Sequence, residues 1–354
     1  MIARRPAGPP KGTVLTHPEV SPPPPDLKRR FLNWRTLLSF VIAVGLIVLT
    51  VWLGRIDLGQ VWDYVRQADP RFYFLGFLAF YPTFPLRAWR WRLLLQNASA
   101  EEDAPIPHLP DLTEILFLSW FANCLVPAKL GDLYRGYLLK RTSGASFSRT
   151  IGTILAERVL DMVFLFLLML AASLAAFGPR IPSGTTATMV YGVGIFLSAV
   201  AVGVLLGLRF FGPALRRLVP ARFHGIYDRF IEGTLLSFRR RRLVLLLGQT
   251  VLVWVLESLR FYCVLLAFPE SVPLGLPVVV FIALAGSLLT TLPISPAGLG
   301  AVEAMFAWVV PLFLSMGAEQ ARAVGLALGM LDRTINYWSI LLLGFLVFLL
   351  SRKK

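Results

Sequence analysis

Long runs of apolar residues recur from residue 37 to the end of the chain, with short polar stretches between them. The longest approach or exceed the roughly 20 residues that an α-helix needs to cross the hydrocarbon core of a bilayer. They lie at residues 37–53, 72–95, 150–177, 186–208, 243–268 and 324–350. The pattern predicts an all-α polytopic membrane protein with about 6–8 transmembrane helices, in a single transmembrane domain at residues 35–354.

Shorter apolar runs end at residues that break helices. The run at 112–126 stops at Pro127, and the run at 277–292 leads into PISPAGLG, after which 301–315 is apolar again. A helix break at membrane depth is tolerated where it is buried in protein or lines a cavity. We therefore expect two re-entrant or broken helical hairpins beside the spans. Their turn residues are Pro127, Gly131, Pro293, Pro296, Gly298 and Gly300.

The two predicted turns resemble each other in sequence. PAKLG at 127–131 and PAGLG at 296–300 share four of five residues. Each copy precedes an acid–arginine pair inside an apolar run, Glu157–Arg158 and Asp332–Arg333. If the first hairpin is entered from the cytoplasm and the second from outside, the chain contains an inverted repeat of the kind found in transporters. A chance match is the alternative, because the chain is rich in Pro, Ala, Leu and Gly.

The formal net charge of +15 does not by itself indicate nucleic-acid binding, because the basic residues lie mainly in short loops between apolar runs. Such loops face the cytoplasm and attract anionic lipids, so we expect both termini to be cytoplasmic and expect no nucleic-acid partner. Residues 1–34 are predicted to be a disordered, Pro-rich, basic cytoplasmic tail. Residues 209–242 are predicted to be a basic amphipathic cytoplasmic segment at the inner leaflet, with a solvated connector as the alternative.

Ionisable residues inside the apolar runs are the strongest functional signal. A charge at the centre of a transmembrane helix costs about 2.5–3.5 kcal/mol on insertion scales, so such side chains should face the protein interior and pair. One interpretation is local pairing along each helix. We favour a polar cavity in which Arg158, Arg260 and Arg333 hold a headgroup. The candidate binding residues are Asn123, Asp132, Arg135, Glu157, Arg158, Asp161, Glu257, Arg260, Glu303, Asp332, Arg333 and Asn336.

Other patterns are less specific. Arg87, Arg90 and Arg92 alternate with tryptophans in RAWRWRLLL, which indicates an interface anchor or, alternatively, an arginine cluster that binds lipid phosphate. The pairs Gly203/Gly207 and Gly325/Gly329 predict helix-packing faces. No histidine accompanies the acidic residues and no metal-ligand spacing occurs, so we expect no catalytic residues, no metal and no cofactor.

Several motifs together resemble the lysylphosphatidylglycerol synthase transmembrane region, a family of flippase-like integral membrane proteins. They are RAWRWRLLL, Asn123 with the Pro127–Arg135 motif, Glu157-Arg158 with Asp161, PISPAGLGAVE, and Asp332-Arg333. The family usually has Glu where this chain has Asp132. The resemblance implies a multi-pass protein of the cell inner membrane. In longer members this region moves an aminoacylated phospholipid between leaflets, and a separate soluble domain attaches the amino acid. We expect no lysyltransferase activity here, since no such domain follows the last span.

The leading hypothesis is therefore a lipid translocase for an anionic or aminoacylated phospholipid or a polyprenyl-phosphate lipid. A second hypothesis is a membrane-embedded transferase that uses Glu157 or Asp161 as a base. A third is a non-transporting partner of a synthase or glycosyltransferase.

Overall fold

A computed structural model describes residues 34–99, 105–126, 129–177, 185–238, 242–269, 272–291 and 295–353. All regular structure in these ranges is helical. The α-helices are α1 (Trp34–Gly54), α2 (Leu58–Arg66), α3 (Pro70–Phe80), α4 (Thr83–Ala98), α5 (Leu109–Leu125), α6 (Leu130–Ser143), α7 (Phe147–Phe177), α8 (Thr185–Leu218), α9 (His224–Leu236), α10 (Leu243–Ala267), α11 (Leu276–Leu289), α12 (Ala301–Val309), α13 (Ala318–Arg333) and α14 (Ser339–Leu350). Apart from Trp34, the predicted tail lies outside the described residues.

Six helical segments of this part of the chain are long and apolar enough to cross a membrane. They are Thr36–Gly54, Phe147–Ala176, Ser198–Leu218, Leu243–Ala267, Pro296–Phe313 and Ala318–Leu350. The predicted all-α polytopic membrane fold is confirmed. The predicted span at 72–95 is two helices, α3 and α4, which meet at Tyr81 and Pro82. Proline lacks the backbone N–H that a continuous helix would use, which explains a break at this position.

The first predicted hairpin is formed by α5 and α6, which pack against each other. The side-chain oxygen of Asn123 accepts a hydrogen bond from the backbone N–H of Gly131 at 2.9 Å, which ties the two helices together across the break. A Cβ atom on Gly131 would lie 2.0 Å from the carbonyl oxygen of Ser119, so the close approach requires glycine. Lys129, just before α6, has a left-handed backbone with φ of 56°. The predicted turn residue Pro127 lies outside the described residues.

The second hairpin is formed by α11 and α12, which a short 3₁₀ turn at Pro296–Gly298 joins. Three residues here have positive φ: Ala297 at 45°, Gly298 at 72° and Gly300 at 85°. A Cβ atom on Gly300 would lie 2.5 Å from the carbonyl oxygen of Ala43 on α1, so this turn also depends on glycine. Pro293 lies outside the described residues.

The last span contains an irregular turn next to its charged residues. Helices α13 and α14 are joined by a π-helical turn at Thr334–Trp338, directly after Asp332 and Arg333. Such turns are rare and often lie at functional sites, because the extra residue redirects the side chains around it.

The basic segment at 209–242 is largely helical and packs on the protein. Its first part belongs to α8, and α9 lies along α7. A Cβ atom on Gly233 would lie 2.2 Å from the carbonyl oxygen of Arg149, so the two helices cross with backbones in contact. The position of this segment at the inner leaflet stays a prediction.

Candidate functional site

A cavity of about 110 Å³ lies between the two hairpins and the spans that surround them. This volume has room for several water molecules or a small polar group. Its wall is part aromatic, with Phe80, Trp120, Trp254 and Phe306, and part polar. The polar lining residues are Arg87, Asn123, Lys129, Arg158, Asp161, Glu257, Arg260, Ser287, Thr290, Thr291, Asp332, Arg333 and Asn336.

Three arginines that are distant in the chain converge on this cavity. Arg158 on α7, Arg260 on α10 and Arg333 on α13 all line it. The predicted site residues Asn123, Asp161, Glu257, Asp332 and Asn336 line it as well. The other four, Asp132, Arg135, Glu157 and Glu303, do not reach the wall and instead form ion pairs behind it.

Two ion pairs match each other, one at each hairpin. Each pair connects a span to the helix that follows the hairpin break. Arg158 donates to both oxygens of Asp132 on α6, from Nε at 2.9 Å and from Nη2 at 2.7 Å. Arg333 donates from Nε to Glu303 on α12 at 3.0 Å, and from Nη2 to the carbonyl oxygen of Ala297 at 3.0 Å. The Arg158 side chain is 26% exposed and that of Arg333 is 3% exposed. The arginine of the first pair is therefore more exposed than the arginine of the second pair.

Arg90 on α4 is the centre of a second group of charges. This side chain is fully buried and donates to Asp161 at 2.6 and 2.9 Å and to Glu157 at 2.9 Å. Arg135 on α6 approaches the second oxygen of Glu157 at 2.8 Å and stacks on the ring of Trp91 at 3.7 Å. Local pairing of Arg158 with Asp161 along α7 is therefore wrong, because Asp161 binds Arg90 and Arg158 binds Asp132.

The interface-anchor interpretation of Arg87 and Arg90 is wrong. Arg87 is 4% exposed and donates to Glu257 on α10 at 2.8 Å. The helical spacing of this stretch could have predicted the burial of these arginines. One helix face carries Arg87, Arg90, Trp91 and Leu94, and all four side chains are buried.

Glu257 and Arg260 do pair along α10, at 3.3 Å, as the local interpretation expects. The pair also extends to other helices, because Glu257 accepts from Arg87 and Arg260 donates to Asp332 on α13. Asp332 accepts a further hydrogen bond from Asn336 at 2.8 Å. These contacts form one continuous network from α4 through α10 to α13.

Sequence reasoning missed Lys129 as a lining residue. It lies at the break of the first hairpin, and its side chain has no hydrogen bond or ion pair within the described ranges. Among those same residues, no group of His, Cys, Asp and Glu side chains is arranged to hold a metal ion.

The family model for the lysylphosphatidylglycerol synthase TM region matches residues 36–344 of this chain. The chain belongs to this family. The matched range contains both hairpins and every charged residue of the cavity, so the network described above lies within the family's own region.

Three relatives from archaea cover most of this chain. A UPF0104 membrane protein of Methanocaldococcus jannaschii is 34% identical over 236 residues, which cover 66% of this chain and 95% of that protein. A UPF0104 membrane protein of Pyrococcus horikoshii is 24% identical over 339 residues, which cover 89% of this chain and 97% of that protein. The glycosyltransferase AglD of Haloferax volcanii is 28% identical over 88% of this chain, but the match spans 53% of that protein.

Proposed function

We propose that this protein is a lipid translocase that receives a lipid headgroup in the central cavity and moves it between the leaflets of the cell membrane. One observation carries the proposal. Arg158, Arg260 and Arg333, from three different helices, converge on a cavity between two broken helical hairpins. Ionisable residues at membrane depth are costly and commonly mark a substrate pathway. Broken helices from two repeats that meet at one site are the arrangement of alternating-access transporters.

The ion pairs suggest how a headgroup would be coupled to movement. Phosphate binds arginine through two parallel hydrogen bonds, as a carboxylate does. A headgroup phosphate near Arg158 would therefore compete with Asp132, and release of Asp132 would remove one of the two ion pairs that join α6 to α7, the other being Arg135 with Glu157. A ligand shifts a conformational equilibrium only through such differential contacts. The equivalent pair of Arg333 and Glu303 would act in the same way at the second hairpin.

The geometry favours transport over acid–base catalysis by Glu157 or Asp161. Both carboxylates accept hydrogen bonds from Arg90, and Asp161, the one of the two that lines the cavity, has Arg90 on both of its oxygens. A general base must reach the proton that it abstracts, and Glu157 does not line the cavity.

A second candidate function is partnership with a glycosyltransferase that uses a lipid-linked substrate. The observation that favours it is the match to AglD, in which 88% of this chain corresponds to about half of a protein named a glycosyltransferase. Under this proposal, the protein would present the lipid to a separate enzyme. Copurification with such an enzyme and no lipid transfer by the protein alone would support partnership over transport.

The test is leaflet transfer in reconstituted vesicles. A labelled phospholipid that reaches the outer leaflet is detected with a membrane-impermeant quencher, and the orientation of the inserted protein is measured in parallel. We expect wild-type protein to accelerate transfer and Arg158→Gln to slow it at least about tenfold, because a charge-assisted hydrogen bond is lost. The matched control is Arg216→Gln, which removes an exposed bidentate pair with Asp228 away from the cavity. No acceleration by the wild type, or equal transfer by the two variants, would contradict the proposal.

A further inference from the structure

Every carboxylate of the cavity network already has an arginine partner. Asp132 binds Arg158, and Glu303 binds Arg333. Arg90 binds both Glu157 and Asp161. Glu257 and Asp332 both bind Arg260. A positively charged headgroup would therefore find no free carboxylate among them.

The cationic side chains are in excess at the wall. Five of them line the cavity, Arg87, Lys129, Arg158, Arg260 and Arg333, against three carboxylates, Asp161, Glu257 and Asp332. Within the described part of the chain, the Lys129 ammonium group lines the cavity without a side-chain hydrogen bond or ion pair, and the carboxylate of Asp132, which attracts it, is bound to Arg158. Trp254 also lines the cavity, and its buried indole N–H has no hydrogen-bond partner among the described residues. Positive charge in a partly buried site is stabilised by an anion.

The backbone at Lys129 suggests that its side chain has a role in binding. Its φ of 56° lies in the left-handed region that glycine adopts at low cost. In the second copy of the repeat, PAGLG, the equivalent position is Gly298, with φ of 72°. The chain thus has a lysine where the matching turn has a glycine. Strained conformations of this kind tend to persist at functional sites, where another gain offsets the strain.

We infer that the cavity selects an anionic phosphate headgroup and rejects an aminoacylated one, with Lys129 as the residue that determines this specificity. The inference rests on the proposed function and narrows its substrate class. A phosphate monoester or diester lipid supplies the negative charge that Lys129 and Arg158 attract. A lysylated headgroup adds two amino groups that Lys129 repels and that find the carboxylates of the network occupied by arginines. The phosphate can belong to a phospholipid or to a polyprenyl phosphate.

The experiment is lipid competition in nanodiscs. The full chain is placed in phosphatidylcholine with small, equal fractions of phosphatidylglycerol, lysyl-phosphatidylglycerol and a polyprenyl phosphate, and the retained lipids are counted by native mass spectrometry. For the wild type we expect at least about tenfold preference for one or both anionic lipids over the lysylated one. The anionic lipid that is retained more strongly identifies the source of the phosphate.

The decisive variant is Lys129→Gly, because glycine suits the backbone at this position. We expect an unchanged melting temperature, at least about tenfold weaker retention of the anionic lipids, and recovery in Lys129→Arg. Arg71→Ala is the control, since it removes one positive charge from an exposed position on α3. Equal retention of lysylated and anionic lipids by the wild type, or unaltered retention in Lys129→Gly, would overturn the inference and leave translocation intact. Failure of the wild type to retain any of the three lipids would count against the proposed function itself.

Discussion

Arg158 binds Asp132 through both carboxylate oxygens, although Asp161 lies one turn further along its own helix. This salt bridge joins the span α7 to α6, the helix after the first break. Arg333 and Glu303 connect α13 to α12 in the same way at the second break. The two hairpins thus share an arginine–carboxylate contact in addition to their short sequence motif.

The first prediction concerns the energetic coupling of Arg158 and Asp132. Arg158→Gln and Asp132→Asn should each destabilise the protein, and the double variant should cost less than the sum, with a coupling of about 0.5–3 kcal/mol. The reason is that each single change leaves the other charge without its partner. Unfolding in detergent measures the cycle. The exposed pair Arg216 and Asp228 serves as the control and should give a coupling below about 1 kcal/mol. Additive changes at Arg158 and Asp132 would show that the contact contributes no coupling.

The second prediction concerns Arg90. Arg90→Met should lower the free energy of unfolding by about 3–5 kcal/mol, because it leaves Asp161 buried without its arginine partner and leaves Glu157 with Arg135 alone. The melting temperature in detergent checks this effect. A double variant, Arg90→Met with Asp161→Asn, should recover part of the loss, since the one remaining carboxylate, Glu157, still has Arg135. A small effect of Arg90→Met alone would mean that Asp161 does not need an arginine partner at this position.

The third prediction compares two glycines with different surroundings. A Cβ atom on Gly325 would lie 2.4 Å from the carbonyl oxygen of Phe306 on α12, whereas one on Gly203 would meet nothing within 4 Å. Gly325→Ala should therefore cost about 1–3 kcal/mol through overpacking. Gly203→Ala should be neutral or stabilising by at most about 1 kcal/mol, because alanine favours the helix. Thermal unfolding distinguishes the two. Equal effects would contradict the close packing of α13 on α12.

The fourth prediction concerns the contact of α9 with α7. Gly233→Val should separate the two helices, because their backbones touch at this position. Limited proteolysis between α8 and α9 should become about tenfold faster, as local opening becomes easier. Gly225→Ala is the control, since a Cβ atom there would have only the end of the Arg229 side chain nearby, at 3.7 Å. Unchanged cleavage of Gly233→Val would indicate that α9 is held elsewhere, for example by the Asn97 hydrogen bond to Ser237.

The sequence predicted the elements better than their contacts. Apolar length alone identified most spans, because the bilayer requires it. The hairpin breaks followed from proline and glycine inside apolar sequence, and the helix at 224–236 followed from its periodic pattern. The π-helical turn after Arg333 and the break at Pro82 within the second span were missed. The Gly203/Gly207 pair was predicted to pack against a helix, but a Cβ atom on either glycine would meet nothing within 4 Å in the described residues. Gly325 and Gly329 pack against Phe306 on α12 as predicted.

For the candidate site, the sequence by itself determined which charges had to be protected, because an ionisable side chain in an apolar run must find a partner inside the protein. It could not determine which partner each charge takes. The spacing of Glu157, Arg158 and Asp161 along α7 allowed Arg158 to pair within its own helix. In the tertiary structure Arg90 binds the two carboxylates, and Arg158 binds Asp132. Only the packing of α4 and α6 against α7 decides this choice. Ion pairing depends on distance in space, and residues far apart in the chain come within 3 Å of each other here.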